Sequence, residues 1–572
     1  MSSKTLTPKA KRQLLTIIIF ATMFLSGIIV FNVTPLNVKK TYNQTITTSD
    51  GVPICYDVFE PANDLTANKP AVIIGHGVMV NKEMMRLIAL ELAKNGFVAV
   101  AFDFRGHGQS GGTLPPSSMA GITGVGGIEQ LTSVNESGLT NDILAIKGYL
   151  EEDRIDINMT NLGYVGYSMG GGAGFELLSY DNDFNAMVGL APLPNYKLTN
   201  TSNPRNLLIL SGGLDESNPM DALLKVMANK TGLSTSSIEL NHLYGSFASG
   251  TAAKMVVDPY VDHFFTPYDL NFVREIVNWN LQALLGIATP AVDFAYPVLV
   301  LAVIIAMIGA LGLFWGVSGQ IIAHFARRKV DVPVSSPILE TISKSYLIGR
   351  FFIYGLVLSL PCIFTGAVLL WTPLIVSTLL FMFLAGMSLA ILLMVWRTYA
   401  RKGIGFAAMY RSNVATTSGR NILVGVGLGV LLYALLELSG GNLLGIVPSV
   451  TRLGWVPLYY VAIVFALINL LLFALPLVAD KFGRGRKNGV IIAGTINFLL
   501  NTAIYGAILL VICLVLQSFF LIIFIIPTIP IFGVIFFTCT YYYLRTNDVV
   551  MPAITVAIFW AFVIITLSPF FG

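Results

Sequence analysis

The chain has 572 residues, of which 55% are hydrophobic and only 12% carry charge, and its mean hydropathy is +0.73. Soluble domains carry about 25% charged residues, so these values are typical of a membrane protein, and the length exceeds that of one compact domain. The net charge of +4 comes from short basic clusters beside apolar segments, which argues against a nucleic-acid-binding surface.

The first predicted element is an N-terminal transmembrane anchor. Basic residues within positions 1–12 precede an apolar stretch, residues 13–33, which is long enough to cross a bilayer as a helix. A cleaved signal peptide is the alternative, but its apolar region would be shorter and would end at a small-residue cleavage site. We therefore predict an uncleaved anchor that leaves residues 1–12 in the cytoplasm.

Residues 38–287 hold most of the Asp and Glu and predict a soluble domain. The segment begins with a hairpin that turns at residues 49–51, and then alternates apolar runs with helical periods, which predicts a mostly parallel sheet flanked by helices. The parallel strands are predicted at 70–77, 97–104, 161–168, 186–192, 206–213 and 253–260. The helices are predicted near 82–95, 139–152 and 268–285, and from Gly170 onward. Cys55 is the only one of the four cysteines in this segment, so no internal disulfide staples it.

Residues 290–572 predict a polytopic membrane domain of about eight helices. The predicted spans are 294–316, 349–371, 373–396, 421–440, 456–478, 489–514, 518–543 and 549–570. With the N-terminus inside, nine spans in all place the basic clusters of the connecting loops in the cytoplasm. Gln517 and the Pro527/Pro530 pair leave open a broken or re-entrant helix in the span at 518–543.

This topology predicts that residues 34–293 lie outside the cytoplasm. Six N-x-[ST] sequons fall in or at the edge of that stretch, and such sequons are acceptors only on the exported side. They are Asn32, Asn43, Asn135, Asn158, Asn200 and Asn229. We therefore expect a domain on the extracytoplasmic side of the membrane, and we expect it to be glycosylated.

One motif in the soluble segment indicates nucleophilic chemistry. Residues 166–170 read Gly-Tyr-Ser-Met-Gly, a G-x-S-x-G pattern at the end of a predicted strand and the start of a helix. Such a serine sits on a sharp turn that leaves no room for neighbouring side chains, hence the glycines. We predict that Ser168 is a nucleophile.

A serine needs a base and an acid that orients it, and in this strand–turn–helix setting both follow the serine in the chain. Asp215 lies just past a predicted strand, where parallel sheets place catalytic groups, with Glu216 as the alternative. Two of the five histidines fit by position, His263 after the last strand and His242 before it, and His263 is favoured. An oxyanion hole needs two backbone N–H groups, which Met169 and Val78 would supply.

Five motifs in order resemble the α/β-hydrolase superfamily, and most resemble serine aminopeptidases of the S33 type and monoacylglycerol-lipase-like hydrolases. They are GHG at 75–77, FDFRGHGQSGG at 102–112, GYSMGG at 166–171, SGGLDES at 211–217 and VDHFF at 261–265. The resemblance covers residues 50–287 and implies an α/β-hydrolase fold with Ser168 as nucleophile, His263 as base and Asp215 as its orienting acid. By the same resemblance Arg105 and His107 are structural, and Asp262 is a surface or supporting carboxylate.

The segment between the strands at 186–192 and 206–213 is too short for a cap domain. Residues 110–137, residues 231–251, the membrane surface or the extracellular loops could cover the site instead. If the membrane domain completes the site, the substrate is a lipid or an acylated molecule. Four polar residues of the membrane domain, Glu437, Asn469, Asn497 and Asn501, are interpreted as helix-packing groups.

The sequence therefore predicts a membrane-bound serine hydrolase that cleaves an ester, with a small-molecule or lipid-like substrate and membrane lipids as partners. We expect no cofactor and no metal. A peptidase with the same triad and a non-catalytic ectodomain that serves a transporter as receptor or scaffold are the alternatives.

Overall fold

The structure, a computed structural model, describes residues 7–62, 67–115, 138–215, 217–291, 293–328, 342–414, 417–516 and 525–572. Its soluble part contains one eight-stranded sheet of order β1-β2-β4-β3-β5-β6-β7-β8. The strands are β1 (Val38–Thr47), β2 (Pro53–Pro61), β3 (Lys69–Gly75), β4 (Val98–Phe102), β5 (Ile157–Tyr167), β6 (Phe184–Leu190), β7 (Leu207–Gly212) and β8 (Ala253–Asp258). All the predicted strands are present.

The predicted hairpin and mostly parallel sheet are confirmed as well. β1 pairs antiparallel with β2, and β2 pairs antiparallel with β4, while every pair from β4 through β8 is parallel. The parallel strands are buried on both faces, and alternate residues of β3 join opposite cores, Val72 and Ile74 on one side and Ala71 and Ile73 on the other. This two-sided burial is why these strands are continuously apolar.

Helices cover both faces of the sheet. They are α2 (Arg86–Lys94), α3 (Leu139–Glu152), α4 (Met169–Leu177), α5 (Met220–Thr231) and α6 (Leu270–Leu285). α2 and α6 pack on one face, and α3, α4 and α5 on the other. Helix α5 was not among the predicted elements, although its buried Leu223, Val226 and Met227 recur at helical spacing.

The remaining helices are long and apolar. They are α1 (Pro8–Val33), α7 (Tyr296–Phe325), α8 (Lys344–Cys362), α9 (Ile375–Ala400), α10 (Phe406–Val414), α11 (Gly419–Gly440), α12 (Val450–Leu453), α13 (Val456–Val478), α14 (Gly489–Leu516), α15 (Ile525–Thr546) and α16 (Val550–Leu567). Helices α10 and α12 are short exceptions that lie between spans.

Among the described residues, eight helices are long and apolar enough to cross a membrane, one near the N-terminus and seven after the sheet domain. They correspond to eight of the nine predicted spans and indicate a multi-pass membrane protein. The ninth predicted span, 518–543, begins outside the described residues, and helix α15, which contains its described part, is not one of the eight.

The sheet domain packs directly on the ends of the membrane helices. Phe31 of α1 and Tyr296 and Leu299 of α7 share one hydrophobic cluster with α2 and α6. On the other face of the sheet, Phe571 at the C-terminus joins the cluster of α3 and α5. The two parts of the chain therefore share buried apolar contacts on both sides of the sheet.

Candidate active site

Ser168 occupies the sharp turn between β5 and α4. Its backbone has φ 50° and ψ −112°, a conformation that residues other than glycine rarely adopt. The turn is tight because the backbone of β3 passes close by: a Cβ on Gly170 would lie 2.7 Å from the carbonyl oxygen of His76, and a Cβ on Gly77 would lie 3.1 Å from Cβ of Ser168. The predicted role of glycines around this serine is thus explained by backbone crowding.

The side chains of Ser168, His263 and Asp215 form one hydrogen-bonded chain. The Nε2 atom of His263 lies 2.9 Å from Oγ of Ser168, and its Nδ1 atom lies 2.8 Å from Oδ2 of Asp215. A carboxylate can only accept, so Nδ1 carries the ring proton and Nε2 is free to accept the proton of the serine hydroxyl. The residues come from three separate loops at the carboxyl ends of β5, β7 and β8.

Further hydrogen bonds hold His263 and Asp215 in place. The hydroxyl of Tyr167 donates to the carbonyl oxygen of His263 at 3.0 Å. The backbone N–H groups of Ser217 and Asn218 donate to Oδ1 of Asp215 at 2.9 and 3.1 Å. The side chain of Asp215 is fully buried and that of His263 is 4% exposed, so the arrangement is shielded from water.

Val78 lines the cavity that also contains Ser168, and Met169 follows the serine directly in the chain. Met169 is the first residue of α4, and the first N–H groups of a helix lack partners within it. Gly170, one residue on, donates its N–H to the carbonyl oxygen of His76. In the described part of the chain neither Val78 nor Met169 donates its backbone N–H to another protein group. Two such donors beside a nucleophile are what an oxyanion requires.

The loop that carries Val78 is anchored at its far end by buried polar groups. The N–H of Lys82 donates to Asp103 at 2.8 Å, and its ammonium lies 3.2 Å from the same carboxylate. Burial disfavours the ammonium, but the charges of Asp103 and Glu83 outweigh it and raise the pKa of Lys82 well above its usual value. Asn81 donates its side-chain N–H to the carbonyl oxygen of Gly445, in the loop after α11, at 2.7 Å.

The other residues that the sequence singled out lie elsewhere. His242 is exposed and packs edge-on against Tyr244, and Glu216 lies outside the described residues. Asp262 accepts a hydrogen bond from the N–H of Phe265 in the turn after His263.

The RGHG loop makes contacts within the fold. Arg105 forms ion pairs with Asp50 and Asp142, and Nδ1 of His107 lies 3.0 Å from the carbonyl oxygen of Arg105. Burial lowers the pKa of His107 well below its usual value, which keeps the ring neutral. These contacts agree with the structural interpretation of both residues.

A cavity of about 120 Å³ opens above Ser168 and His263, and membrane helices form most of its wall. Residues from α9, α14, α15 and α16 line it, together with Leu444 and the loop at 78–80. Within the described residues, the segment 231–251 contributes nothing to the wall, and residues 116–137 of the other proposed cover lie outside them. Of the covers that the sequence left open, the membrane helices and, through Leu444, the loop at 441–455 line this cavity among the described residues.

Sequence reasoning missed the residue that joins the membrane helices to the site region. Arg452 on α12 is 1% exposed and donates to the carbonyl oxygens of Ile565, Thr566 and Ser568, and also to that of Gly106 in the RGHG loop. Its position as the only basic residue of the loop at 441–455 was visible, but no local pattern indicates its partners.

The polar residues of the membrane domain contact neighbouring backbone and side chains. Glu437 accepts from the N–H of Ile446, Asn469 donates to its own helix, and Asn501 donates to the carbonyl oxygen of Asn497. Asn497 donates across helices to Thr540 at 3.3 Å. These contacts agree with helix packing.

Residues 66–212 match the family model described as serine aminopeptidase, S33. No protein of curated function matches the chain. The esterase Pf2001 of Pyrococcus furiosus is 16% identical, with 44% of this chain and 96% of that chain covered and a TM-score of 0.33. A hypothetical protein of Pseudomonas aeruginosa is 14% identical over 43% and 94% of the two chains, with a TM-score of 0.31. The α/β hydrolase GrgF of Penicillium is 12% identical over 43% and 99%, with a TM-score of 0.30.

The order and direction of the strands, the turn at Ser168 and the family match over residues 66–212 agree with one another. The eight-stranded part of this multi-pass membrane protein therefore has the α/β-hydrolase fold, its residues 66–212 are similar to the S33 serine aminopeptidases, and it is called the hydrolase domain.

Proposed function

We propose that this protein is a membrane-bound serine hydrolase that cleaves a carboxylic ester through an acyl-enzyme on Ser168. The observation that carries the proposal is the pair of hydrogen bonds made by His263, at 2.9 Å to Oγ of Ser168 and at 2.8 Å to Asp215. A serine hydroxyl is a weak nucleophile until a base takes its proton, and this base is oriented by a buried carboxylate.

In the first half of the reaction, His263 accepts the hydroxyl proton of Ser168 while Oγ attacks the ester carbonyl carbon. The carbonyl oxygen becomes an oxyanion, which the N–H groups of Val78 and Met169 stabilise. The intermediate collapses as the bond to the alcohol oxygen breaks, and His263 returns its proton to that leaving group. Asp215 keeps the imidazole in the required tautomer and stabilises the imidazolium.

In the second half, water replaces the alcohol. His263 takes one proton from the water, whose oxygen attacks the acyl carbon, and the same proton then goes to Oγ of Ser168 as the acid leaves. The serine is thereby regenerated.

A peptidase with the same residues is the second candidate, favoured by the description of the matching family. An aminopeptidase needs an acidic or aromatic pocket for the free amino terminus of its substrate. The described residues that line the cavity above Ser168 include no carboxylate, and they are apolar almost throughout, with nine aliphatic and six aromatic side chains. An ester with an apolar acyl group suits such a wall better than a charged amino terminus does.

The test is labelling of the full-length protein in nanodiscs with a fluorophosphonate, which reacts with activated serines. We expect the wild type to be labelled, Ser168→Ala to lose labelling completely because the reacting oxygen is gone, and His263→Ala to be labelled about 10⁴-fold more slowly. The exposed Ser234→Ala and His242→Ala are the matched controls and should label like the wild type. An unlabelled wild type would overturn the proposal and favour a receptor or scaffold role.

The same preparation separates the two candidate substrates. Hydrolysis of p-nitrophenyl esters without hydrolysis of aminoacyl p-nitroanilides supports the esterase, and the reverse supports the peptidase.

A further inference from the structure

The cavity above Ser168 continues from the reacting groups into the membrane helices. Its near end is formed by Tyr167, Ser168 and His263, and its wall includes Leu380, Phe383, Leu384 and Met387, which lie on α9. From the first residue of α9, Ile375, to Met387 is about three turns of helix, so the cavity follows that helix well away from its end.

The opposite wall of the cavity is formed by residues of α15 and α16. Phe532 lies near the start of α15, and Trp560, Ile564 and Leu567 lie in the last turns of α16. The end of α16 contacts the start of α9, where the hydroxyl of Ser377 donates to the carbonyl oxygen of Ile564, and the rings of Phe532 and Trp560 join α15 to α16. The wall is apolar almost throughout, in contrast to the polar hydrogen-bonded groups at the serine.

This geometry decides which part of an ester the cavity suits. The carbonyl carbon must sit at Oγ of Ser168 with its oxygen toward Val78 and Met169. An unbranched alkyl chain attached to that carbon can extend along α9 and bury its methylenes, whereas a charged or hydroxylated group there would lose its hydration without gaining a partner.

We propose that the membrane helices form the acyl-chain site of the enzyme, with Leu384 and Met387 as residues that set the preferred chain length. The proposal rests on the proposed function, since it needs a carbonyl carbon at Ser168, and it names the substrate class as an ester of a medium- or long-chain fatty acid. Leu384 lies closer to the start of α9 and Met387 about one turn farther along, so the two act at different depths of the chain.

The test measures kcat/KM of the full-length protein in nanodiscs with p-nitrophenyl acetate, butyrate and octanoate below their aggregation limits. Each buried methylene contributes about fourfold, which corresponds to about 0.8 kcal/mol, so the wild type should prefer octanoate to acetate by about 100-fold or more. Leu384→Trp and Met387→Trp fill the cavity and should reduce octanoate hydrolysis by at least about tenfold, while acetate hydrolysis stays within about twofold.

A matched control is Leu423→Trp, which adds the same bulk to a side chain that is 74% exposed on α11 and does not line the cavity. It should keep the wild-type preference. The rate of fluorophosphonate labelling of each variant shows that Ser168 is still activated and that the fold is intact. With two variants at different depths, one that fails to fold leaves the other as the test.

The outcomes of this experiment are distinct from those of the proposed function. If the wild type labels at Ser168 and hydrolyses acetate but both tryptophan variants keep its preference for octanoate, the acyl site is overturned and the esterase stands. An equal loss on all three esters in labelled variants would also overturn it. If the wild type neither labels nor hydrolyses any ester, the proposed function fails first.

Discussion

Ser168 and its neighbours show how closely single residues are constrained around the site. The serine keeps a positive φ because β5 and α4 are packed on both sides of it and Gly77 and Gly170 let the chain of β3 come close. The buried carboxylate of Asp215 is satisfied by backbone N–H groups. The buried carboxylate of Glu176 on α4 has no such hydrogen bonds within the described residues.

Glu176 gives a prediction about stability and pH. It lies about two turns after Ser168 on α4, it is 5% exposed, and within the described residues neither carboxylate oxygen has a hydrogen-bond partner. Burial raises the pKa of this carboxyl from 4.5 to about 7. The fold therefore favours the neutral form, and stability is lost as the pH rises from about 4.5 through about 7.

Glu176→Gln removes the charge and should stabilise the protein by about 3 kcal/mol at pH 8, with little effect at pH 5. The measurement is the midpoint of thermal unfolding in nanodiscs at the two pH values. Glu152→Gln, at an exposed position of α3, serves as control and should change neither midpoint. A gain that is the same at both pH values would contradict the assignment of a raised pKa.

At the scale of elements, the end of α16 and the C-terminal segment link the membrane helices to the hydrolase domain. Phe570 donates its N–H to the carbonyl oxygen of Gly106 at 2.8 Å and accepts from the N–H of Leu114 at 2.8 Å. Gly572 donates to the carbonyl oxygen of Leu114 at 3.1 Å, so the segment pairs with the loop after β4 as a short strand would. Arg452 caps the last carbonyl groups of α16 from the side.

Arg452 gives the prediction at this scale. A guanidinium that satisfies several buried carbonyl groups has no equivalent in a neutral side chain, so Arg452→Met leaves these acceptors without donors. We expect a loss of stability of about 2–4 kcal/mol, and a smaller loss for Arg452→Lys, which keeps the charge but not the planar set of donors.

Thermal unfolding of the full-length protein in nanodiscs measures both losses. Arg411→Met, at an exposed position of α10, is the control for loss of an arginine and should leave the midpoint unchanged. Equal stability of Arg452→Met and the wild type would show that the link contributes nothing.

For the whole molecule, we propose from the distribution of charge that the hydrolase domain lies outside the cytoplasm. By the positive-inside rule, the basic clusters that follow the apolar helices, such as those at 397–420 and 481–487, are expected in the cytoplasm. The same count of spans then puts the hydrolase domain on the other side of the membrane.

Single cysteines test the orientation in intact cells. Ser234→Cys, exposed in the hydrolase domain, should react with a membrane-impermeant maleimide, whereas Arg401→Cys, exposed after α9, should react only once the cells are permeabilised. Both variants are made in a Cys362→Ser background, which by itself is the control, since Cys55, Cys513 and Cys539 are buried but Cys362 is partly exposed. The reverse pattern would place the hydrolase domain in the cytoplasm and contradict the charge argument.

Much of this molecule could be read from its sequence because the signals are local. A strand that is buried on both faces is a continuous apolar run, a span is about 20 apolar residues, and the turn at Ser168 needs glycines within two positions of the serine. The positions of Asp215 and His263 just after predicted strands, together with the family resemblance, selected with Ser168 the three side chains that the fold brings into hydrogen-bonding contact.

Only the tertiary structure decided which residues far apart in the chain contact one another. Arg452 reaches Gly106 across 346 positions, and Leu384 and Trp560 meet the same cavity as Ser168 although each lies in a different part of the chain. An apolar residue on a membrane helix has the same local pattern whether it faces lipid, another helix or a substrate. Only packing, which depends on every element at once, distinguishes these environments, and it is packing that made membrane helices part of the wall above the serine.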